Sequence, residues 1–423
     1  MNESFLSYLW MNHLLGINPV TTDGENVKIF SGGLKNSDSG PDFINARIQI
    51  GEILWSGNVE IHVRSSDWNR HNHQNDPSYN NVILHVVFEN DIVVKKQDGI
   101  YMPVLVLDNE FITTLHEKYE ELMKSQMEIP CQILFKEYSS TILPIWLQQL
   151  SVKRLERKVK TVSNLHLQLK GDWAETFFVW LSGGFGLKIN QDAFMNLAKS
   201  IGLKRYIQNK SDVDILESIF YGQSGLLPLK KCDDEYVLNL LKEYNYYANK
   251  YAFIPLKSSE WKFLRLHAES FPTIRISQLA RFLNQTDSLF SLIMETEELE
   301  ELQKVFCIKA SPYWDRHYQF GIESSFKIKQ TGIQFADNIL INCVIPLLFS
   351  YGYMQGIDEL KERAFGWLEQ IKSEQNTILR FWNSLSVKAE NAAQSQALIE
   401  LKNNYCKQKN CLNCLIGIEI IKK

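Results

Sequence analysis

The sequence has no uninterrupted apolar run of membrane-spanning length, no excess of positive charge, and no segment biased toward glycine, proline or serine. Each absence removes a class of protein. The longest apolar stretch, Ile339 to Tyr351, is broken by Asn342 and Pro346 and falls short of the roughly 20 residues of a membrane helix, so no membrane segment is expected. A formal charge of −4, from 45 basic and 49 acidic residues, excludes a globally basic nucleic-acid binder but not a local basic groove. With only 21 glycines and 11 prolines in 423 residues, and 45% apolar residues, disorder over most of the length is excluded as well. Seven cysteines, three of them crowded near the end, suit reduced thiols or metal ligands better than a disulfide framework. Met1 to Gly16 lacks the basic segment and small-residue cleavage site of a secretory leader, so a cytoplasmic location is expected.

What is present changes character along the chain. Phe5, Leu6, Leu9, Trp10 and Leu14 recur at helical spacing before Gly16, which predicts one amphipathic helix. Strand alternation follows at Val27 to Ser31, Phe43 to Ile50 and Ile53 to Val63. A polar segment, Arg64 to Asn81, leads to further strands at Val82 to Phe88, Val93 to Lys96 and Met102 to Leu107. After Pro130 the period becomes helical, with segments near Ile142 to Lys160, Trp173 to Leu181, Gln191 to Ile201, Ser211 to Tyr221, Asp234 to Tyr251, Ile276 to Asn284 and Asp337 to Tyr351. The expected class is α+β: a small mixed-sheet domain over 1–130, a helical domain over 131–300, and a helical C-terminal region over 301–423.

The chemistry concentrates in the first part. Four of the nine histidines fall between His62 and His85, and Glu60 and His62 lie two apart on a strand, so their side chains share a face. Asp42 enters the neighbouring strand; if the strands pair, two carboxylates and an imidazole converge, a donor set suited to Mg²⁺ or Mn²⁺. Their carboxylates are expected within about 6 Å of each other. A second reading places zinc on His71, His73 and His85, with Asp67 or Asp76. A third makes the cluster a hydrogen-bonded network that pins a loop to the sheet, anchored by Trp68 and Tyr79.

The order helix, three strands, polar segment, strand, with Pro41-Asp42 on the second strand and Glu60-Ile61-His62 on the third, resembles the PD-(D/E)XK, restriction-endonuclease-like nucleases. The resemblance implies that Asp42 and Glu60 bind the catalytic metal. His62 stands where that pattern has lysine, and a neutral imidazole supplies no fixed positive charge. The chain as a whole also resembles an uncharacterised bacterial family, the domain of unknown function family 2851. That likeness rests on Ser39-Gly40-Pro41-Asp42-Phe43, Gly57-Asn58-Val59-Glu60-Ile61-His62, Asp67-Trp68 with His71 and His73, Phe220 to Leu227, Phe271 to Arg275 and the closing cysteines. It implies no activity.

Further on, Lys153, Arg154, Arg157, Lys158 and Lys160 form a basic stretch able to track a phosphate backbone, or a solvated face. Trp261, Lys262, Arg265, His267, Phe271, Arg275 and Arg281 interleave aromatic and basic residues as nucleic-acid platforms do, or pack as core. Cys406, Cys411 and Cys414 are spaced to share zinc or an iron–sulfur cluster, with sulfurs within about 4 Å of one another for zinc and a fourth ligand from Cys131, Cys307 or Cys343. Three functions follow as expectations: a metal-dependent phosphodiesterase acting on DNA or RNA with Asp42, Glu60 and His62 at its centre, a non-catalytic scaffold with a degenerate nuclease-like core, and a zinc hydrolase of a small substrate.

Overall fold

A computed structural model of the chain describes residues 1–423 except Ser37, Asp108 and residues 229–232. The chain divides into two units, Met1–Trp146 with Leu401–Lys423, and Leu147–Glu400. The first is α+β and the second mainly helical.

The first unit opens with α1 (Glu3–Met11), whose start is fixed by the Asn2 side chain accepting the Phe5 N–H at 2.9 Å. Its apolar face, Phe5, Leu6, Leu9 and Trp10, is fully buried. Six strands follow: β1 (Val27–Ser31), β2 (Leu34–Lys35), β3 (Phe43–Ile50), β4 (Ile53–Arg64), β5 (Val82–Glu89) and β6 (Val104–Val106). They form one sheet in the order β1-β3-β4-β5-β6, with β2 also paired to β3. The pairs β1·β3 and β3·β4 are antiparallel, whereas β4·β5 and β5·β6 are parallel. The β3–β4 hairpin turns at Gly51, whose φ of 57° lies in the left-handed region that glycine tolerates. Parallel strands cannot be joined by a tight turn, so the chain between β4 and β5 makes a crossover. That crossover contains α2 (Asp67–Arg70) and two short 3₁₀ turns, His73–Asn75 and Pro77–Tyr79. Strand β5 lies next to the edge strand and is buried from Val82 to Val87, as a strand covered on both faces should be.

Two irregularities flank the middle of β4. Between Phe43 and Ala46 strand β3 carries an extra residue, where Asn45 adopts φ 58°. On the other side the register of β4 with β5 shifts between Asn58 and Val59. Bulges of this kind twist a strand locally and re-aim the adjacent side chains. Close strand approach here also needs Gly57, since a Cβ there would stand 2.5 Å from Ile83 Cγ2 and 2.7 Å from the Asn81 carbonyl.

The strand expected at Val93 to Lys96 does not form; that stretch has a single bridge, Lys95 to Tyr101. Asp91 instead accepts hydrogen bonds from the Ser65 hydroxyl and the Ser66 N–H, each at 2.9 Å, which folds this loop onto the end of β4. After β6 come α3 (Glu110–Lys124) and the 34-residue α4 (Phe135–Gln168), within which the chain passes into the second unit.

The two units meet the chain at 146/147 and 400/401, beside the expected boundaries at 130 and 300. Residues 301–400 belong with the preceding helices, and 401–423 return to the first unit. The Lys402 ammonium donates to the Glu128 carbonyl at 2.8 Å and pairs with its carboxylate at 3.0 Å. Lys409 donates to the Met123 carbonyl, and Tyr405 packs edge-on against Trp146 at 5.3 Å.

In the second unit the helices predicted from periodicity are present with ends shifted by one to four residues, including Trp173–Phe185, Leu187–Ile201, Val213–Ser224, Glu235–Tyr251 and Pro272–Gln285. The apolar run at Ile339 to Tyr351 belongs to a continuous helical stretch, Ile333–Gln355, of 23 residues with mean hydropathy 1.5 over its most apolar window. By length and composition it could cross a membrane, yet 72% of that window is buried inside the fold. Pro346 does not end it: it stands in the first turn of Ile345–Gln355, directly after a turn of π-helix at Leu340–Val344. Other helices of the unit, such as Leu203–Asn209 and Leu289–Glu295, are short and were not legible from spacing.

Candidate functional site

Strand β4 presents Glu60 and His62 on one face, and in the parallel register Glu60 lies beside His85 of β5. The crossover then folds His71 and His73 back over that face. The result is a chain of ring contacts. His62 Nδ1 is 2.9 Å from His85 Nε2, and His62 Nε2 is 3.1 Å from His71 Nδ1. Glu60 Oε1 lies 3.4 Å from His62 Nε2 and 3.2 Å from His73 Nε2. Among the described residues, His62, His71 and His73 form a group whose ligand nitrogens all lie within 4.8 Å of one another. His62 is buried, His73 half-buried and His71 exposed, so the cluster runs from the sheet out to solvent.

Aromatic packing fixes the rings. His73 stacks on Tyr79 with centroids 3.8 Å apart, and Trp68, fully buried, stands edge-on to His73 at 5.4 Å. Trp68 also contacts Tyr79 and His85 and forms a small core with Val82, Val94 and Met102.

Asp42 meets Glu60 across the bulge. Its backbone N–H donates to Glu60 Oε2 at 3.0 Å, while its own Oδ2 accepts from the Ile61 N–H at 3.1 Å. Burial raises the pKa of both carboxyl groups above the ordinary range; the Ile61 N–H partly offsets this for Asp42, and His73 does so for Glu60. The Asp42 carboxylate adds to the rise of Glu60, and Glu3 adds to that of Asp42. A half-buried and a buried acid, each with its pKa raised by burial, are what a cation would hold ionised.

Burial and the neighbouring rings of His85, His73 and His71 push the His62 pKa down to about 2, and burial pushes His85 down to about 3. Both rings are therefore neutral at ordinary pH. The contact of His62 with Glu60 is accordingly not an ion pair. A neutral His62 carries one N–H. If it sits on Nδ1 it donates to His85, which leaves Nε2 with a lone pair facing His71 and Glu60. In that arrangement His85 carries its own proton on Nδ1, an atom that is buried with no partner.

The structure separates the sequence-predicted residues by role. Glu60, His62, His71 and His73 come together, with Asp42 adjoining. His85 stands behind His62 as its hydrogen-bond partner, on the side away from the converging atoms, and so is not placed as a ligand. Asp67 and Asp76 are engaged elsewhere: Asp67 pairs with Arg70 at 2.8 Å and accepts the Arg64 N–H, and Asp76 caps a turn through Ser78. Two residues were missed from the sequence. Glu3, in the first turn of α1, lies close enough to feel His71, Asp67, Glu60 and Arg70, and burial raises its pKa. Lys35 on β2 acts on Asp42 in the same way, lowering its pKa. Glu3 reads in the sequence as an ordinary helix-start acid, and no spacing rule links it to residue 60.

The basic stretches are divided between surface and interior: Lys153, Lys160, Lys262, Arg265 and His267 are exposed, whereas other members are engaged within the fold. Arg154 is buried and donates to Asn342 Oδ1 at 3.2 Å, and Arg157 forms a two-bond pair with the Glu400 carboxylate. Burial lowers the Lys158 pKa. Trp261 is buried and donates to the Ser224 carbonyl, and Arg275 bonds Gln278 and lies over the Phe335 ring at 4.0 Å. These side chains fold the second unit and do not form an exposed platform.

Cys411 and Cys414 are buried and Cys406 half-buried, with Cys131 from the turn before α4 alongside them. Cys307 and Cys343 lie in the other unit. No three of the four sulfurs close to within 4.8 Å of one another, wider than the expected 4 Å.

Residues 3–377 match the family model described as "Protein of unknown function (DUF2851)". The chain belongs to that family. No curated protein and no solved structure matches it.

Proposed function

We propose that this protein is a metal-dependent phosphodiesterase of the nuclease-like kind, with its centre at Glu60, His62, His71 and His73 and with Asp42 beside it. The observation that carries the reading is a run of contacts, His71 Nδ1 to His62 Nε2, His62 Nε2 to Glu60 Oε1 and Glu60 Oε1 to His73 Nε2, at 3.1, 3.4 and 3.2 Å, through three imidazoles whose ligand nitrogens all lie within 4.8 Å of one another. Two ligands at about 2.1 Å from one ion lie about 3.0 to 3.4 Å apart at bond angles between octahedral and tetrahedral, so these spacings fit a shared cation. Three imidazoles and a carboxylate favour Zn²⁺ or Mn²⁺ over Mg²⁺, which prefers oxygen.

The phosphodiester class rests on topology. The first unit runs helix, β1, β3, β4, a short helix and β5, which agrees with the helix, three strands, helix and strand of the PD-(D/E)XK core. A bound ion supplies a Lewis acid and acidifies a water molecule it holds. Glu60 and Asp42 hold the cation and balance its charge. His62 stays neutral and keeps its Nε2 free of a proton by donating from Nδ1 to His85. The exposed His71 marks the side from which substrate enters. Lys35, next to Asp42, supplies the positive charge that His62 cannot.

A second reading, hydrolysis of a small substrate by zinc, draws on the same three imidazoles. The test is cleavage of single- and double-stranded DNA and RNA, and of small phosphodiesters, with Mn²⁺, Zn²⁺ or Mg²⁺ added to metal-free protein. Cleavage with Mn²⁺ or Zn²⁺ that falls at least a hundredfold in Glu60→Gln and His71→Ala is expected. Equal activity in both variants, or none on any phosphodiester with any ion, overturns the reading.

A further inference from the structure

Four of the six described cysteines belong to the first unit, and they come from opposite ends of the chain. Cys131 follows Pro130 in a turn closed by the Gln132 N–H donating to the Ile129 carbonyl at 3.1 Å. Cys406 ends a turn of π-helix, Leu401–Cys406. Cys411 opens a 3₁₀ turn, and Cys414, whose N–H donates to the Cys411 carbonyl at 3.2 Å, caps the helix Leu415–Lys422. That turn is pressed onto the helix it precedes: a Cβ at Gly417 would lie 2.4 Å from the Cys411 carbonyl oxygen, so only glycine permits the approach.

The thiols are neighbours of one another. Burial raises each of Cys131, Cys406 and Cys411, and Cys414 adds to that in all three; Cys131 and Cys411 are pushed up to about 12. Positive charge is supplied at the same place. Lys402, itself buried and held by Glu128, acts on Cys406, and Lys409, held by the Met123 carbonyl, acts on Cys411. These bonds hold residues 402–409 against the stretch 123–128, next to the turn that carries Cys131.

We propose that Cys131, Cys406, Cys411 and Cys414 are the ligands of one thiolate-bound metal centre, a zinc ion or an iron–sulfur cluster, that fastens the last segment of the chain to the turn before α4. On binding, each thiol gives its S–H proton to solvent and forms one sulfur–metal bond; the cluster form also takes up iron and inorganic sulfide. Zinc would draw the sulfurs to about 3.8 Å from one another, given zinc–sulfur bonds of about 2.3 Å. In an iron–sulfur cluster the four sulfurs bind different irons and stand farther apart. The site lies on residues separate from the imidazole cluster, so the two can fail independently.

The test uses full-length protein purified without oxygen, assayed for zinc, iron and acid-labile sulfide and by visible absorbance. Near-stoichiometric colourless zinc, or iron with sulfide and broad visible absorbance, is expected. Cys131→Ser and Cys411→Ser should each lose at least three-quarters of that metal, while Cys343→Ser and Cys307→Ser retain it. Retention in Cys131→Ser, or wild-type protein with neither metal, overturns the proposal. Should the variants fail to fold, titration of wild type with an organomercurial gives the same answer: the metal should leave in step with modification of four thiols, and modification without metal release refutes the site.

Discussion

Glu217 offers a test of the second unit's core that does not depend on any activity. It lies in the helix Val213–Ser224 with 1% of its surface exposed. Its Oε2 accepts from the Tyr236 hydroxyl at 2.8 Å, and its Oε1 from the Ser277 hydroxyl, whose oxygen in turn accepts the Ser311 N–H at 2.9 Å. Burial pushes its pKa from 4.5 up to about 7, against the opposing effects of Ser277, Tyr236, Ser311 and Arg281. Below pH 4.5 the group is protonated in folded and unfolded chains alike. Between there and about 7 the folded chain holds a proton that the unfolded chain has released, so stability falls by about 1.4 kcal/mol per pH unit. Over that window the loss totals roughly 3 kcal/mol, all of it present above pH 7. Glu217→Gln has no proton to lose, and its amide can accept from one hydroxyl and donate to the other. The variant should be no more stable than wild type at pH 5 and more stable by about 2 to 3 kcal/mol at pH 8, less roughly 1 kcal/mol for imperfect hydrogen bonding. Urea unfolding of both proteins at several pH values, with chelator present, measures the difference directly. All other titrating groups are common to both chains and cancel. A difference that does not change between pH 5 and pH 8 refutes the reasoning.

Two further predictions concern the frame around the imidazoles. Gly57→Ala places a methyl group 2.5 Å from Ile83 Cγ2 and 2.7 Å from the Asn81 carbonyl, so the strands must part, at a cost of about 1 to 3 kcal/mol in chemical denaturation; an unchanged midpoint would mean that β4 and β5 are spaced differently. Trp68→Ala removes a fully buried ring whose indole N–H has no partner, so the loss is packing alone, about 3 to 5 kcal/mol. Because His73 and His85 both rest on that ring, divalent-ion affinity measured by calorimetry should also fall at least tenfold, and full affinity would show that Trp68 does not position the rings.

Much of the first unit was legible in the sequence because its signals are local. The helical spacing of Phe5, Leu6, Leu9 and Trp10 gives α1, and the two-residue period of β4 places Glu60 and His62 on one face without reference to anything distant. Periodicity also marked the longer helices of the second unit, where an apolar stripe repeats over three turns or more. The failures are equally physical. Val93 to Lys96 reads as a strand, but Asp91 ties the preceding residues to Ser65 and Ser66, and β-propensity yields to that tertiary contact. Arg154 and Arg275 look like surface charge because the sequence does not show Asn342 or Gln278 waiting for them. His71, His73 and His85 are alike in the sequence; only the crossover distinguishes the two that group with His62, of which His73 meets Glu60, from the one behind it. Neither Glu3 nor Cys131 could be joined to its site by spacing, since the partners of each lie in other elements, and for Cys131 at the far end of the chain.

The return of residues 401–423 to the first unit imposes an order of events during synthesis. Residues 1–146 emerge first, but the segment that completes their unit follows 254 others, 147–400. At about 5 to 20 residues per second, that interval is on the order of 10 to 50 s. Throughout it the faces of α3 and of the 128–131 turn that will receive Lys402, Lys409 and the final helix stand uncovered, while the sheet behind them already has all six strands. The nascent chain therefore spends most of its time on the ribosome with a formed sheet and an open flank, and a translational pause within 147–400 lengthens the period in which that flank can meet other surfaces.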